Sequence, residues 1–205
     1  VVVLISGRGS NLKAIMDKCS KKNVPAKVIA IISNNSRASG LKLNGKFQKI
    51  IINNKLSKKK FENELQKNLE KLKPNLICLA GFMKILSSFI IKKWKNKIIN
   101  IHPSLLPSFK GLNTHERALN AGVKKSGCTI HFVDESLDGG PIIAQASTMI
   151  KNKMTRKELS EKILKIEHKI YPEVVNLFAK KKINIKKNKV FIKDKEKLNH
   201  FIKNI

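Results

Sequence analysis

The chain is poor in aromatic residues, acidic residues and cysteine. Phe, Trp and Tyr make up 5% of its 205 residues, and 14 acidic residues stand against 43 Lys and Arg. Cys19, Cys78 and Cys128 are scattered, which excludes a disulfide framework and gives no metal-ligand spacing. No apolar run approaches the ~18 residues that a membrane span needs. These absences predict a globular protein of the reducing cytoplasm, without a membrane segment and without a metal.

Arginine is also scarce, and this bears on the formal net charge of +29. Only 4 of the 43 basic residues are Arg, whereas Ile and Asn number 27 and 20, a bias that AT-rich codons produce. A nucleic-acid-binding module is the alternative from another functional class, but such a surface would favour Arg and aromatic side chains. We expect no specific nucleic-acid partner, and an attraction for anionic substrates.

Strand and helix patterns alternate in the first half of the chain. Strands are predicted at 1–6, 27–32, 49–52, 76–80 and 97–101, and helices at 12–19, 37–47, 57–72 and 88–95. This order is typical of an α/β protein with a doubly wound, mostly parallel sheet. A short helix at 115–121, a strand pair at 128–133 and 141–149, and a long helix opened by a capping box at Thr155 complete the pattern.

The most informative motif is Asn100-Ile101-His102, followed by Pro103. Side chains two residues apart on a strand point to the same side, so the amide and the imidazole can converge. An amide donor beside a titratable imidazole suits a reaction in which an oxygen gains negative charge while a proton moves. The alternative is a turn signal beside a histidine that caps a strand end.

Two further segments could complete a site. Gly9-Ser10-Asn11 lies between a strand and a helix, where small residues and a helix N-terminus can cradle one phosphate, or merely form a tight connection. Asp138 precedes two glycines, and a carboxylate beside His102 would raise the pKa of the imidazole and keep it protonated; the alternative is an ordinary Asp-Gly turn. His131 lies on a strand pattern, and we interpret it as structural.

Five segments in this order resemble the phosphoribosylglycinamide formyltransferase family: VVLISGRGSNLKAI, LAGFMKIL, INIHPSLLPSFKGLNTHERAL, GCTIHFVDESLDGGPIIAQ and IEHKIYP. The resemblance covers about residues 1–180 and implies one domain with a Rossmann-like formyltransferase fold. In that domain, about 1–100 would bind the nucleotide phosphate and about 80–180 would bind folate and carry catalysis. Residues 183–205 would form a peripheral Lys-rich tail.

The resemblance implies transfer of the formyl group of 10-formyltetrahydrofolate to the amine of 5'-phosphoribosylglycinamide, in purine biosynthesis. No metal and no nicotinamide cofactor would take part. The partners would be these small molecules, and the protein would be a monomer or a weak homodimer.

The same resemblance implies roles for individual residues. Asn100, His102 and Asp138 would be catalytic. The nucleotide would be bound by Gly9, Ser10, Asn11 and Glu167. Folate would be bound by Lys58, Met83, Lys84, Ile85, Leu86, Asn100, Asp134, Glu135, Ser136, Leu137 and Asp138.

The chain departs from the family pattern at two positions. Leu164 stands where a polar residue is expected, three residues before Glu167, and Asn113 stands where His is common. The ribose contacts and the loop 108–115 are therefore expected to differ from those of the family.

Two alternatives share the catalytic core. Methionyl-tRNA formyltransferases have a Gly-Ala-Ala-Pro-like turn where residues 111–114 read Gly-Leu-Asn-Thr, and they carry a C-terminal barrel for which this chain has no room. Formyltetrahydrofolate hydrolases carry an N-terminal regulatory domain that is not expected here.

Overall fold

The strands of the first half of the chain form a parallel sheet, as the alternating pattern predicts. The computed structural model describes residues 1–193. Its parallel strands are β1 Val2–Ile5, β2 Ala30–Ser33, β3 Gln48–Ile51, β4 Ile77–Leu79 and β5 Ile98–His102. They lie in the order β3-β2-β1-β4-β5, so the order reverses direction between β1 and β4. A ligand crevice is expected at such a switch point, beyond the carboxyl ends of the strands.

Two antiparallel strands extend the sheet beyond β5. These are β6 Lys125–Phe132 and β7 Ile142–Met149, and β6 pairs directly with β5. The helices are α1 Ser10–Cys19, α2 Lys58–Leu72, α3 Ser88–Lys93, α4 Thr114–Asn120 and α5 Arg156–Ala179. The Thr155 hydroxyl and the Glu158 carboxylate form the predicted capping box of α5.

Alternate residues of the strands face opposite helix layers. Val3 and Ile5 pack in a core with α1 and α5, whereas Val2 and Leu4 pack in a second core with α2 and α3. All four side chains are fully buried. A strand with both faces buried reads as a continuous apolar run, which is why β1 lacks the alternation of a half-exposed strand. The prediction of a doubly wound α/β sheet is confirmed.

One local prediction was wrong. The helix predicted at 37–47 is a single 3₁₀ turn, Ser39–Lys42, because the chain there must approach α1 closely: a Cβ on Gly9 would lie 2.6 Å from the Cα of Gly40. In the segment predicted as a peripheral tail, residues 183–192 form a separate hairpin of β8 Ile183–Lys186 and β9 Lys189–Ile192, with Ile183 buried against the core. The remainder of that tail, 194–205, lies outside the described residues.

No helix within residues 1–193 is long and apolar enough to cross a membrane.

Candidate active site

A cavity of about 740 Å³ lies beyond the carboxyl ends of β1, β4 and β5. Most of the predicted site residues line it, although they come from distant parts of the chain. They are Asn11, Met83, Lys84, Ile85, Leu86, Asn100, His102, Asp134, Glu135, Ser136, Leu137, Asp138 and Glu167. The cavity is large enough for a sizeable ligand or for two smaller ones.

Strand β5 brings Asn100 and His102 to the cavity wall, as predicted from their spacing. His102 is the last residue of the strand and is 5% exposed. The segment that follows is anchored behind the site, because the Thr129 hydroxyl donates to the Ser104 carbonyl at 2.7 Å and accepts from the Leu106 N–H at 3.0 Å. The imidazole therefore occupies a fixed place.

Both ring nitrogens of His102 have partners. Nδ1 lies 3.3 Å from Oδ2 of Asp138, and Nε2 donates to the Phe109 carbonyl at 2.9 Å. The Gly111 N–H donates to the same carboxylate oxygen at 2.9 Å. The structure thus brings the predicted trio of Asn100, His102 and Asp138 together.

The protonation state expected for His102 was wrong. Burial lowers the pKa of the imidazole, and the Phe109 carbonyl and the Asp138 charge, which both raise it, do not fully compensate. Burial acts to raise the pKa of Asp138, but the neighbouring His131, the Gly111 N–H and the His102 charge outweigh it, so the pKa is lowered. At neutral pH the free protein therefore holds a carboxylate beside a largely neutral imidazole.

Asp138→Asn tests this balance, because it keeps the shape of the side chain and removes its charge. We expect the pKa of His102, followed by NMR titration of the imidazole, to lie below the ordinary histidine value in the unmodified protein. In the variant it should fall further, since the attraction that partly offsets burial is gone. An identical titration in both proteins would contradict an electrostatic role for Asp138.

His131 belongs to the site, although we interpreted it as structural. It pairs with Asn100 across the antiparallel strands, and the Asn100 amide lies 3.3 Å from its Nε2. Its Nδ1 donates to the Phe132 carbonyl at 2.9 Å, so Nε2 is the acceptor in the neutral ring. Oδ1 of Asp138 lies 3.7 Å from Nε2, an electrostatic contact and not a hydrogen bond. The register of β5 against β6 was the signal that could have revealed this residue.

The opposite end of the cavity holds a buried amide and a buried carboxylate. Nδ2 of Asn11 donates to Oε2 of Glu167 at 2.7 Å, and both side chains are more than nine-tenths buried. Burial raises the pKa of Glu167 to about 7, although the bond from Asn11 opposes the rise. The Asn11 amide thus serves Glu167, whereas we expected it to point at a phosphate. Gly9, with φ of 72°, precedes α1, and neither Gly9 nor Ser10 lines the cavity.

The mouth of the cavity is apolar. Met83, Ile85, Leu112 and Leu137 are each more than half exposed there, and such a concentration of exposed apolar side chains is typical of a binding surface. The segment 82–86 is anchored at its start, because the Met83 N–H donates to the Ser6 hydroxyl at 2.8 Å. The loop 134–138 is shaped by Asp134, whose carboxylate accepts from the Ser136 N–H at 2.9 Å.

Lys58 lies outside the main cavity. It lines a neighbouring cavity of about 330 Å³, together with Phe61, Glu62 and the segment 83–86 that separates the two cavities. Lys84 lies over the Phe61 ring at 4.7 Å, so two cations flank this space. An anionic group that leaves the main cavity over residues 83–86 would meet both.

The two departures from the family pattern differ in their place. Asn113, with φ of 55°, is exposed, lines the cavity and precedes α4, a backbone conformation that Asn tolerates well. Leu164 is half-buried and does not line the cavity.

His115 and Arg156 line the cavity without having been predicted, and Nδ1 of His115 is buried there without a hydrogen-bond partner.

Within residues 1–193 there is no cluster of three or more His, Cys, Asp or Glu side chains that could hold a metal ion. The absence of a metal from the reaction stays a prediction.

A family model described as formyl transferase matches residues 1–175. The phosphoribosylglycinamide formyltransferase of Haemophilus influenzae is 39% identical over 201 residues, which are 95% of this chain and 94% of that protein. The trifunctional purine biosynthetic protein adenosine-3 of Bos taurus is 43% identical over 195 residues, 92% of this chain but 19% of that protein, so the chain spans about a fifth of it.

Solved structures agree with the sequence comparisons. The crystal structure of phosphoribosylglycinamide formyltransferase from Anaplasma phagocytophilum has a TM-score of 0.87 and 42% identity, covering 93% of this chain and 91% of that one. The fold, the site and the extent of these matches together show that the chain belongs to the formyl transferase family and, within it, to the phosphoribosylglycinamide formyltransferases.

Proposed function

We propose that the chain transfers the formyl group of 10-formyltetrahydrofolate to the amine of 5'-phosphoribosylglycinamide, giving formylglycinamide ribonucleotide and tetrahydrofolate. One observation carries this proposal. Asn100, His102 and Asp138 meet in a cavity with a hydrogen-bonding end at Asn11 and Glu167 and an apolar mouth at residues 83–86. The relatives' names supply the acceptor and the transferred formyl group, and the folate donor is part of our proposal. The cavity has an environment suited to each substrate.

The substrates occupy the two ends of the cavity. Glu167 accepts hydrogen bonds from the sugar hydroxyls of the nucleotide, and the turn at Gly9 and Ser10 receives its phosphate at the start of α1. The pterin lies against residues 83–86 and 134–138, and Lys58 in the neighbouring cavity attracts the acidic folate tail. Holding both reactants together turns a bimolecular reaction into an effectively intramolecular one.

Asn100 stabilises the charge that develops in the reaction. When the amine attacks the formyl carbon, the carbonyl oxygen becomes an oxyanion. The Asn100 amide has two N–H groups, and His131 engages one of them, which leaves the other for the oxyanion. The bond to His131 also fixes the direction of the amide, as electrostatic preorganisation requires.

His102 and Asp138 transfer the proton from the amine to the folate. The amine loses one proton as its bond to the formyl carbon forms, and N10 of the folate gains one as its bond to that carbon breaks. The neutral His102 takes up the proton from the amine at Nδ1, because Nε2 already donates to the Phe109 carbonyl. Asp138, 3.3 Å from Nδ1, stabilises the imidazolium that results. Transfer of this proton from His102 to N10 then returns the imidazole to its neutral form.

Ser10→Ala and Asn11→Ala distinguish binding of the nucleotide's phosphate from binding of its sugar. We expect each to weaken nucleotide binding about tenfold, the scale for a hydrogen bond to a charged group, with folate affinity close to that of the unmodified protein. The Ser10 effect should vanish for a nucleotide analogue without phosphate, whereas the Asn11 effect should persist, because Asn11 acts through Glu167. Titration calorimetry with both ligands measures this. Equal losses for nucleotide and folate would assign a structural role to the turn.

The proposed activity is tested by the rate at which 10-formyltetrahydrofolate loses its formyl group with each of two acceptors and without an acceptor. We expect transfer to phosphoribosylglycinamide, and rates at background level with initiator methionyl-tRNA or with no acceptor. Transfer to the tRNA, or rapid loss of the formyl group without an acceptor, would replace the proposal with one of the related activities.

A further inference from the structure

The loop 108–113 contacts both members of the catalytic His–Asp pair through its backbone. The Phe109 carbonyl accepts from Nε2 of His102, and the Gly111 N–H donates to Asp138, each at 2.9 Å. These two contacts fix which ring nitrogen of His102 carries the proton and where the carboxylate points. The geometry of the pair therefore depends on the shape of this loop.

The loop has an unfavourable backbone conformation. Phe109, Gly111 and Asn113 have φ values of 55°, 78° and 55°, all in the left-handed region. Glycine and asparagine adopt this conformation readily, but a bulky residue such as Phe109 does so only when its surroundings enforce it. Its carbonyl nevertheless has to point at His102, so another group must hold the loop in place.

The Ser104 hydroxyl holds the first residue of the loop by donating to the Ser108 carbonyl at 2.6 Å. The later residues of the loop are contacted from α4 by Arg117. Its Nη1 donates to the Lys110 carbonyl at 2.6 Å and lies 3.4 Å from the Leu112 carbonyl. Its guanidinium also lies 5.7 Å from the centre of the Phe109 ring. One planar group thus contacts three residues of the loop, and Arg117 itself does not line the cavity.

We propose that Arg117 is a positioning residue for the transfer reaction, because it holds the loop 108–113 in the shape that orients His102 and Asp138. The proposal deepens the proposed function and rests on it for its kinetic consequences. Lysine is a poor replacement here, because its ammonium lies one bond nearer the main chain than Nη1 and would have to make both the carbonyl contacts and the contact with the Phe109 ring through a single atom.

The charged and titratable groups around His102 determine the design of the test. Asp138 faces the imidazole from the β6–β7 loop, His131 from β6, and Arg117 and His115 from α4. The Arg117 charge lowers the pKa of His102, whereas the Phe109 carbonyl raises it. Arg117→Lys keeps the charge and weakens the contacts with the loop, so it isolates the effect of loop geometry.

The experiment compares Arg117→Lys and Arg117→Gln with the unmodified protein. Arg37→Lys is the matched control, since Arg37 is exposed and does not line the cavity. For Arg117→Lys we expect kcat to fall about tenfold, the scale of a small misplacement of reacting groups, with KM for both substrates changed less than about twofold. The NMR titration of His102 should move to lower pH, because the carbonyl contact weakens while the charge remains.

Arg117→Gln removes the charge as well, so His102 should titrate at higher pH in this variant than in Arg117→Lys, with kcat reduced in both. Unchanged kcat and His102 titration in Arg117→Lys would overturn the proposal. So would a fall in folate and nucleotide affinity equal to the fall in kcat, which would indicate a general loss of structure. If the unmodified protein transferred no formyl group, the proposed function would fail, while the His102 titration would still decide whether Arg117 orients the pair.

Discussion

His102→Ala is expected to lower kcat by at least about 10²-fold, the scale for losing a general acid–base group. The affinity for each substrate should change far less. The His102 side chain lines the cavity but is only 5% exposed and is bonded to Phe109, so it offers little surface for binding either substrate. The loss should appear in kcat and not in KM, because His102 acts on the proton that moves during the reaction.

The control for this variant is His168→Ala. His168 lies beside Glu167 on α5 but does not line the cavity, and its Nε2 has no hydrogen-bond partner. Steady-state kinetics of both variants, with the melting temperature recorded for each, separate a chemical effect from a loss of folding. A His102→Ala enzyme with an unaltered kcat would remove His102 from the mechanism.

Glu167→Gln is expected to have the second largest effect, and this effect is on nucleotide binding. The substitution removes the buried carboxylate that we propose as the acceptor of hydrogen bonds from the sugar hydroxyls. The variant should bind the nucleotide about 10-fold to 100-fold less tightly, the scale for losing hydrogen bonds to a charged group. Folate binding should be retained, since the proposed folate contacts are made by residues 83–86 and 134–138 and not by Glu167. Equilibrium binding of each ligand measures both effects.

The same substitution should change how stability depends on pH. The pKa of Glu167 is raised to about 7 in the folded protein, from an ordinary value of 4.5 that holds in the unfolded chain. Its contribution to stability is therefore fully present below pH 4.5 and is lost as the pH rises through 7. The shift corresponds to about 3 kcal/mol in the free energy of unfolding.

Urea unfolding at pH 5 and pH 8 tests this prediction. Burial lowers the pKa of His102, His115 and His168, so these groups reduce stability at low pH and act in the opposite direction. They are present in both proteins, so the difference between the unmodified protein and Glu167→Gln isolates the carboxyl group. We expect the variant to gain stability relative to the unmodified protein between pH 5 and pH 8. The same pH dependence in both would show that Glu167 is not a buried acid with a raised pKa.

The features of the site that the sequence could reveal are local ones. Asn100 and His102 are two residues apart on a strand, so their convergence follows from strand geometry alone. Residues 83–86 follow β4, whose carboxyl end faces the same edge of the sheet as that of the parallel strand β5. The capping box at Thr155 is likewise local, and the structure shows it.

Features that depend on contacts between residues far apart in the sequence could not be predicted from local patterns. The contact between Asn11 and Glu167 joins residues 156 positions apart, and the place of His131 depends on the register of β5 against β6. The lowered pKa of His102 results from burial, which no local pattern expresses. The shape of the loop 108–113 was hidden as well, because the positive φ of Phe109 and its contacts with His102 and Arg117 arise only in the folded chain.

The most direct test of the central claim is to follow the formyl carbon itself. Formyl-labelled 10-formyltetrahydrofolate is mixed with excess protein and phosphoribosylglycinamide, and the label is recovered after a single turnover. The account predicts that the label appears in formylglycinamide ribonucleotide, one for each tetrahydrofolate released, and that Asn100→Ala and His102→Ala slow its appearance without redirecting it. Label recovered as free formate, or transfer at an unchanged rate in both variants, would contradict it.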